Sequence, residues 1–199
     1  MSGFWKDNKM TKVMPAKNGF TTIELLVTMP IFSILVLLIF TSTISNMNII
    51  KNIEAEVELQ QQAQFIFDFM EEKIIQSTGV IYLQDSSGFQ KHNTNEKVFL
   101  LKIIFKNSPD HMDKGYIFAL AKDPNNDYYN LKYGVGTIGG ASDEVGNFIQ
   151  SIEIKPIPLY KNYTEAEGIN ICINFFLDGC NLTFENSYFF RNFSRRAEN

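Results

Sequence analysis

The sequence predicts an α+β fold, in which one long N-terminal helix packs on an antiparallel β-sheet. Two patterns carry this prediction. From Ile49 to Ile74 apolar residues recur mostly at three- and four-residue steps, which is the period of one helix face. Beyond Gly79, short runs rich in Ile, Val, Phe and Tyr alternate with polar turn residues, as in strands joined by hairpins. We therefore expect helix before Gly79 and a sheet domain after it.

The composition is that of a folded chain and leaves little material for common catalytic sites. The 199 residues are 45% hydrophobic and 20% charged, which excludes a disordered chain. Two cysteines exclude both a disulfide-rich scaffold and a four-cysteine zinc site. The sequence lacks the motifs of serine-triad hydrolases, zinc proteases and phosphate-binding loops. We expect no enzyme activity, no cofactor and no metal.

A basic segment precedes a long apolar run. Residues 1–19 contain four lysines and one aspartate, a net charge of +3 that leaves −7 for residues 20–199. Fifteen of the 21 residues over 20–40 are apolar, and Glu24 is the only charged residue among them. A helix of that length rises about 31 Å, which matches the hydrocarbon thickness of a bilayer. The basic flank predicts a cytoplasmic N-terminus and an external C-terminal body.

Three kinds of membrane segment could account for the apolar run over residues 20–40. A secretory signal has a shorter apolar stretch and a small-residue cleavage site, which residues 41–46 do not provide. A plain single-pass anchor fits the length and the flanks but gives no role to Glu24. A charge within a span costs about 2.5–3.5 kcal/mol at the bilayer centre and is usually functional. The third kind of segment gives Glu24 a role.

Residues 17–27, KNGFTTIELLV, resemble the signature of type IV prepilins and type II secretion pseudopilins. The shared features are a basic leader that ends in Gly19, the following Phe20, a glutamate four residues later, and an unbroken apolar run. The resemblance implies that prepilin peptidase cuts between Gly19 and Phe20 and that the new amine of Phe20 is methylated. It also implies that Glu24 neutralises the terminal amine of a neighbouring subunit.

The same resemblance implies a pilin-like fold and a division of the chain. The implied segments are a cytoplasmic leader that is removed (1–19), a transmembrane helix half (20–41), an amphipathic helix half (42–78) and the sheet domain (79–199). Sequence segments that follow this signature are most similar to those of minor pilins of the PilW type and pseudopilins of the GspJ type. The leader is longer than in many such pilins, and Pro30 lies earlier than their better-known proline.

Local signals define the helix further. Gly79 is the expected helix stop. Pro30 is an expected kink, because it cannot donate a hydrogen bond to the carbonyl of Leu26. The polar residues 41–48 leave open an alternative in which a separate anchor is followed by a separate globular helix.

Seven runs predict strands, and one hairpin bears on the cysteines. The predicted strands are residues 98–105, 115–121, 128–133, 145–155, 169–176, 180–184 and 188–192. Asp178-Gly179 predicts a two-residue hairpin, which pairs Cys172 near Glu185, too far from Cys180 for a disulfide. We expect two free, largely buried thiols, although a longer loop would allow the disulfide.

Neither a calcium loop nor a histidine site is expected. Asp123, Asn125 and Asp127 match the first alternating ligands of a calcium loop, but Tyr128 stands where glycine is required. Gly134 stands where the loop requires glutamate, so we expect a polar hairpin turn instead. The two histidines, His92 and His111, fall far apart in polar segments and are expected to be exposed.

Nucleotide and nucleic-acid binding are not expected. Gly134, Gly136, Gly139 and Gly140 follow a predicted strand, but no helix pattern comes after them, as a dinucleotide site requires. Three arginines near the C-terminus are a poor electrostatic footprint for DNA beside a body of charge −7. These arginines are Arg191, Arg195 and Arg196.

The resemblance implies a minor subunit of a type IV pilus that joins other major and minor pilins through its hydrophobic N-terminal helix. The precursor is expected in the bacterial cytoplasmic membrane as a single-pass protein, and the mature chain in the pilus at the cell surface. One alternative is a pseudopilin of type II secretion or of a DNA-uptake pseudopilus. An alternative of another class is a plain membrane-anchored binding module or adhesin, and a membrane-tethered enzyme ranks below both.

Overall fold

The computed structural model describes residues 20–107 and 114–191. They form a helix followed by strands: α1 (Thr22–Ile75), β1 (Gly79–Asp85), β2 (Val98–Lys106), β3 (Gly115–Lys122), β4 (Tyr129–Val135), β5 (Asp143–Ile157), β6 (Gly168–Leu177) and β7 (Cys180–Phe189). The prediction of an α+β chain with one long N-terminal helix and an antiparallel sheet is confirmed. The chain divides into two compact units, Met1–Met47 and Asn48–Asn199.

In the first unit, every described side chain is exposed, although most are apolar. The hydroxyls in this segment are satisfied by the helix itself, since Ser33 Oγ donates to the Met29 carbonyl (2.9 Å) and Thr43 Oγ1 to the Ile39 carbonyl (2.8 Å). Such internal bonds let hydroxyls lie in apolar surroundings without losing a partner. The segment is long and apolar enough to cross a membrane.

The helix α1 runs without a break through Pro30 and through the polar residues 41–48. The alternative of a separate anchor and a separate globular helix is therefore wrong. The polar residues do not end the helix because their hydroxyls bond within it, as Thr41 Oγ1 does to the carbonyls of Leu37 and Leu38, both at 3.0 Å. The kink expected at Pro30 stays a prediction.

In the second unit, one face of α1 is buried against the sheet. The buried residues are Ala55, Leu59, Ala63, Ile66, Phe67, Met70 and Ile74. The sequence predicted this face from Ile49 onward, but Ile49, Ile53 and Val57 are exposed by 53%, 53% and 44%. Two residues along a helix turn it by about 200°, so a face that includes Ala55 excludes both Ile53 and Val57.

The helix ends at Ile75, earlier than the predicted residue 78. The Ser77 N–H donates to the Ile74 carbonyl (2.9 Å) and the Ser77 hydroxyl to the Lys73 carbonyl (2.8 Å), so a serine satisfies the last turn. Thr78 already belongs to the sheet, because its N–H donates to the Lys106 carbonyl at 2.7 Å. Gly79 therefore begins β1, a strand that the sequence analysis missed, instead of stopping the helix.

All seven strands form one antiparallel sheet in chain order, as expected when each strand follows its neighbour by a hairpin or short connection. β2 pairs with β3 over residues 102–106 and with β5 at Val98 and Phe99. The β3–β4 hairpin is therefore inserted between β2 and β5.

Residues 185–187 lie in the middle of β7, so the two separate strands predicted there are one. Their polar side chains are tolerated because β7 is the last strand of the sheet and this stretch is exposed.

Aromatic side chains fill the space between the helix and the sheet. The Phe69 ring meets the rings of Phe118 and Tyr133 edge-on, with centroids 6.2 and 5.0 Å away. The fully buried Tyr163 hydroxyl lies 2.7 Å from the Ile154 carbonyl oxygen and 2.9 Å from the Glu96 carbonyl oxygen, and its single proton donates to this pair of acceptors. Burial raises the pKa of Tyr163 well above its ordinary value, so the hydroxyl remains a donor.

Candidate processing and assembly site

Two of the three predicted site residues lie in the described part of the first unit. Phe20 precedes α1, and its side chain is 76% exposed. Glu24 lies in the first turn of α1 and is also exposed. Gly19, the predicted residue before the cleavage point, lies outside the described residues. The residue on the other side of that bond, Phe20, is thus accessible and not helical.

A reciprocal set of hydrogen bonds joins Thr21 to Glu24. The Thr21 N–H and the Thr21 hydroxyl both donate to Glu24 Oε2 at 2.9 Å, and the Glu24 N–H donates back to the Thr21 hydroxyl oxygen at 3.3 Å. This geometry is a capping box, in which a Ser or Thr N-cap and a Glu three residues later satisfy each other. The sequence analysis gave Glu24 no partner within its own chain, although the T-x-x-E spacing is the signal for this one.

The capping box leaves part of the Glu24 carboxylate open to a further donor. Within the described residues, the hydrogen bonds to this carboxylate end on Oε2. Oε1 can therefore accept from a second group, such as an amine. A negative charge in the first turn is also favourable beside the positive end of the helix dipole.

An apolar surface continues from this site along α1. The exposed large apolar residues run from Ile23 to Phe40 with little interruption and extend through Ile44, Met47, Ile49 and Ile50. A helix that is apolar on all sides is stable only when lipid or other protein surrounds it. The segment that follows Glu24 is therefore suited to a membrane and to packing among other apolar helices.

The two cysteines do not form a reactive site. The register of β6 and β7 places Cys172 opposite Glu185, as the hairpin predicted, and places Cys180 opposite Leu177. Both thiols are free and only half-buried, not largely buried as expected, and Cys172 faces away from the core residues Ile171 and Ile173. Burial, helped by nearby carboxylates, raises the pKa of the Cys172 thiol and so makes it a poor nucleophile.

The aspartate-rich segment is a hairpin turn between β3 and β4. Asp123 Oδ1 accepts from the Asn125 N–H (2.8 Å) and from the Asn126 side-chain amide (3.0 Å), so the turn satisfies this carboxylate from within. The first of these bonds contributes most to lowering the pKa of Asp123. In the described ranges, 20–107 and 114–191, no group of three His, Cys, Asp or Glu side chains could hold a metal ion.

The remaining candidates within the described residues have structural explanations. His92 is half-buried, not exposed as predicted, because its ring stacks on Tyr82 with centroids 6.3 Å apart. The glycines from Gly134 onward lie at the end of β4 and in the connection to β5, where the Lys102 ammonium donates to the Gly139 carbonyl at 2.8 Å. Arg191 closes the described chain, with its N–H donating to the Ile75 carbonyl at 3.1 Å. The candidates His111, Arg195 and Arg196 lie outside the described residues.

A cavity of about 170 Å³ lies beside the part of β2 at which its pairing changes from β5 to β3. Its lining offers the hydroxyls of Ser86, Ser151 and Tyr129, but no carboxylate, histidine, cysteine or lysine lies in it to act as the base that activates a nucleophile. The lining residues are Ser86, Phe99, Leu100, Leu101, Leu120, Tyr129, Gln150, Ser151 and Ile152.

No protein-family model, curated protein or solved structure matches this chain. A functional assignment therefore depends on the segment around Gly19 and Phe20, on the Thr21–Glu24 capping box, and on the exposed apolar surface of α1.

Proposed function

We propose that the chain is the precursor of a minor type IV pilus subunit. A prepilin peptidase hydrolyses the bond between Gly19 and Phe20, and the mature chain joins other major and minor pilins through its apolar N-terminal helix. The observation that carries this proposal is the position of the motif. The KNGFTTIE segment ends in the first turn of a helix whose next 16 residues, 25–40, are mostly apolar and all exposed.

Cleavage creates the group that Glu24 would bind. Water adds across the Gly19–Phe20 peptide bond, which leaves a carboxylate on Gly19 and a new amine on Phe20. After methylation that amine is still a cation, and a lone cation among apolar helices is unfavourable. The carboxylate of Glu24 on an adjacent subunit can pair with it through the open Oε1. Pairing offsets much of the desolvation cost of both charges and favours one axial register.

The direction of insertion follows from the charges. The basic residues 1–19 remain in the cytoplasm while residues 20–40 cross the membrane. The second unit then lies outside, where its sheet and its acidic helix surface are accessible to other subunits. This topology supports localisation of the precursor to the cytoplasmic membrane, and the proposed processing step then leads to a pilus on the cell surface.

The intact mass of the chain tests this proposal. When the chain is expressed with a prepilin peptidase, we expect a product that lacks residues 1–19 and carries one added methyl group. Gly19→Val should abolish this product, because the peptidase cleft accommodates only a residue without a bulky side chain. An unprocessed mass for the natural chain, beside complete processing of a reference prepilin, would overturn the proposal.

The same helix would also serve a plain membrane-anchored binding module. A membrane-bound chain that keeps its first 19 residues would favour that function. A pseudopilin of type II secretion or of a DNA-uptake machine shares the processing step. It is distinguished by its partners, which cross-linking of the mature chain in its own cell would identify.

A further inference from the structure

We propose that Thr21 is a positioning residue for processing, because its capping box with Glu24 sets the start of α1 and keeps Phe20, which follows the predicted cleavage point, out of the helix. This inference rests on the proposed function. It assigns a role to a residue beside the cleavage point and a second role to Glu24, separate from the ion pair in the assembled pilus.

The hydrogen bonds show how the box limits the helix. A helical bond joins the Leu25 N–H to the Thr21 carbonyl at 3.2 Å. One residue earlier, the Glu24 N–H donates to the Thr21 hydroxyl at 3.3 Å. In a longer helix the same N–H would donate to the Phe20 carbonyl, since helical bonds connect residues four apart. The Thr21 hydroxyl therefore occupies the donor that would extend α1 backward.

The sequence contains a competing start three residues earlier. Asn18 is a good N-cap residue, and a helix capped there would include Gly19 and Phe20 in its first turn. However, the residue three positions after Asn18 is Thr21, which cannot complete a capping box of the Glu or Gln type. A good N-cap changes a helix-start equilibrium by about two- to thirty-fold, so the Thr21–Glu24 box can decide between the two starts.

The choice of start matters for hydrolysis. In the longer helix the Gly19 carbonyl would accept from the Ile23 N–H and would be held in the first turn. The attack of water on that carbonyl requires an approach to its carbon and donors that stabilise the developing charge on its oxygen. A carbonyl already bonded within a helix is available for neither. The later start at Thr22 leaves Phe20, on the C-terminal side of this bond, outside the helix.

The box and the ion pair make different demands on Glu24. The box needs a side-chain oxygen that accepts, which glutamine also supplies. The ion pair needs a negative charge, which glutamine lacks. Thr21→Val removes the hydroxyl at nearly constant volume and keeps the charge of Glu24. Thr21→Ser and Glu24→Gln are conservative variants that restore or keep the box, and they provide matched controls.

The experiment measures cleavage of the full chain in vesicles that contain a prepilin peptidase. We expect Thr21→Val to be cleaved several-fold more slowly than the natural chain, within the two- to thirty-fold range of a lost N-cap. Thr21→Ser and Glu24→Gln should be cleaved at close to the natural rate. The ¹³Cα chemical shift of labelled Phe20 should move toward the helical value in Thr21→Val alone, a change that a general loss of folding would not produce.

Two results would overturn the inference while leaving the proposed function intact. In the first, Thr21→Val is cleaved at the natural rate. In the second, Thr21→Ser or Glu24→Gln is slowed as much as Thr21→Val, which would assign the effect to side-chain shape or to charge. A natural chain that is not cleaved at all would overturn the proposed function itself, so the two failures are distinguishable.

Discussion

The helix α1 passes through two regions that use the same secondary structure in different ways. Over residues 22–47 its side chains are apolar on nearly all sides, and all of them are exposed. Over residues 55–74 it carries one apolar stripe, and the sheet covers that stripe. The first pattern can be stabilised only by lipid or other helices, whereas the second is satisfied within the chain. A single helix thus combines a segment long and apolar enough to cross a membrane with the scaffold of a folded domain.

The largest expected difference between the two regions is in solubility. A chain that begins at Lys51 should be a soluble, cooperatively folded monomer, because the buried stripe starts at Ala55 and its partners all lie in the second unit. The full chain should require detergent. Circular dichroism and sedimentation would test this expectation. A non-cooperative transition in the shortened chain would show that the second unit depends on the first.

A pair of isoleucines tests the burial of the stripe. Ile66 is fully buried and Ile53 is 53% exposed, so Ile66→Ala should lower the free energy of unfolding by about 2–5 kcal/mol. Ile53→Ala, the matched control on the uncovered face, should change it by less than about 0.5 kcal/mol. Chemical denaturation of the second unit, followed by near-ultraviolet circular dichroism, measures both. Equal effects would mean that the assignment of the two faces is wrong.

Gly146 tests how closely the sheet approaches the stripe. A methyl group at this position would overlap the end of the Ile66 side chain. Gly146→Ala should therefore destabilise the second unit by about 1–3 kcal/mol through overpacking. The double variant with Ile66→Ala should lose less stability than the sum of the two single changes, because the smaller side chain makes room. Simple additivity would contradict this contact.

Tyr163 gives a smaller effect with a defined pH dependence. Loss of the hydrogen bonding of this hydroxyl to the Ile154 and Glu96 carbonyls in Tyr163→Phe should cost about 1 kcal/mol at neutral pH. The folded state raises the pKa of Tyr163 from its ordinary value of 10.0, so the unfolded chain releases this proton first as pH rises. Stability is therefore retained below pH 10 and declines above it. Tyr163→Phe should make the alkaline decline less steep, and an unchanged slope would contradict the burial of this hydroxyl.

In the second unit, the sequence predicted local turns more accurately than the position of strands and buried faces. The Asp178-Gly179 hairpin and the pairing of Cys172 with Glu185 are confirmed, because a two-residue turn fixes the register of both strands. β1 was missed because Gly79 also fits a helix stop. The polar stretch of β7 was taken as a break, since a sequence does not show which strand is the last in its sheet. Ile53 and Val57 fit an apolar helical period, but only the packed sheet reveals which side of the helix it covers.

At the candidate site, the sequence predicted the residues but not their local bonds. Gly19, Phe20 and Glu24 were identified from a motif, and their roles in cleavage and assembly stay predictions. The motif assigns Glu24 a role through its charge, whereas the partner within the chain depends on a second property, the ability to accept hydrogen bonds from Thr21. A T-x-x-E spacing at the start of an apolar run is enough to predict that capping box.

The central claim is that Glu24 recruits the processed chain into a pilus through the amine of a neighbouring subunit. Its most direct test is the fraction of processed Glu24→Gln protein recovered in sheared pili, relative to the natural chain and to Glu24→Asp. An unpaired buried charge costs about 3–5 kcal/mol, so we expect cleavage to continue while incorporation falls by roughly a hundredfold or more, with Glu24→Asp intermediate. Recovery of processed Glu24→Gln in pili at the natural level would contradict the claim.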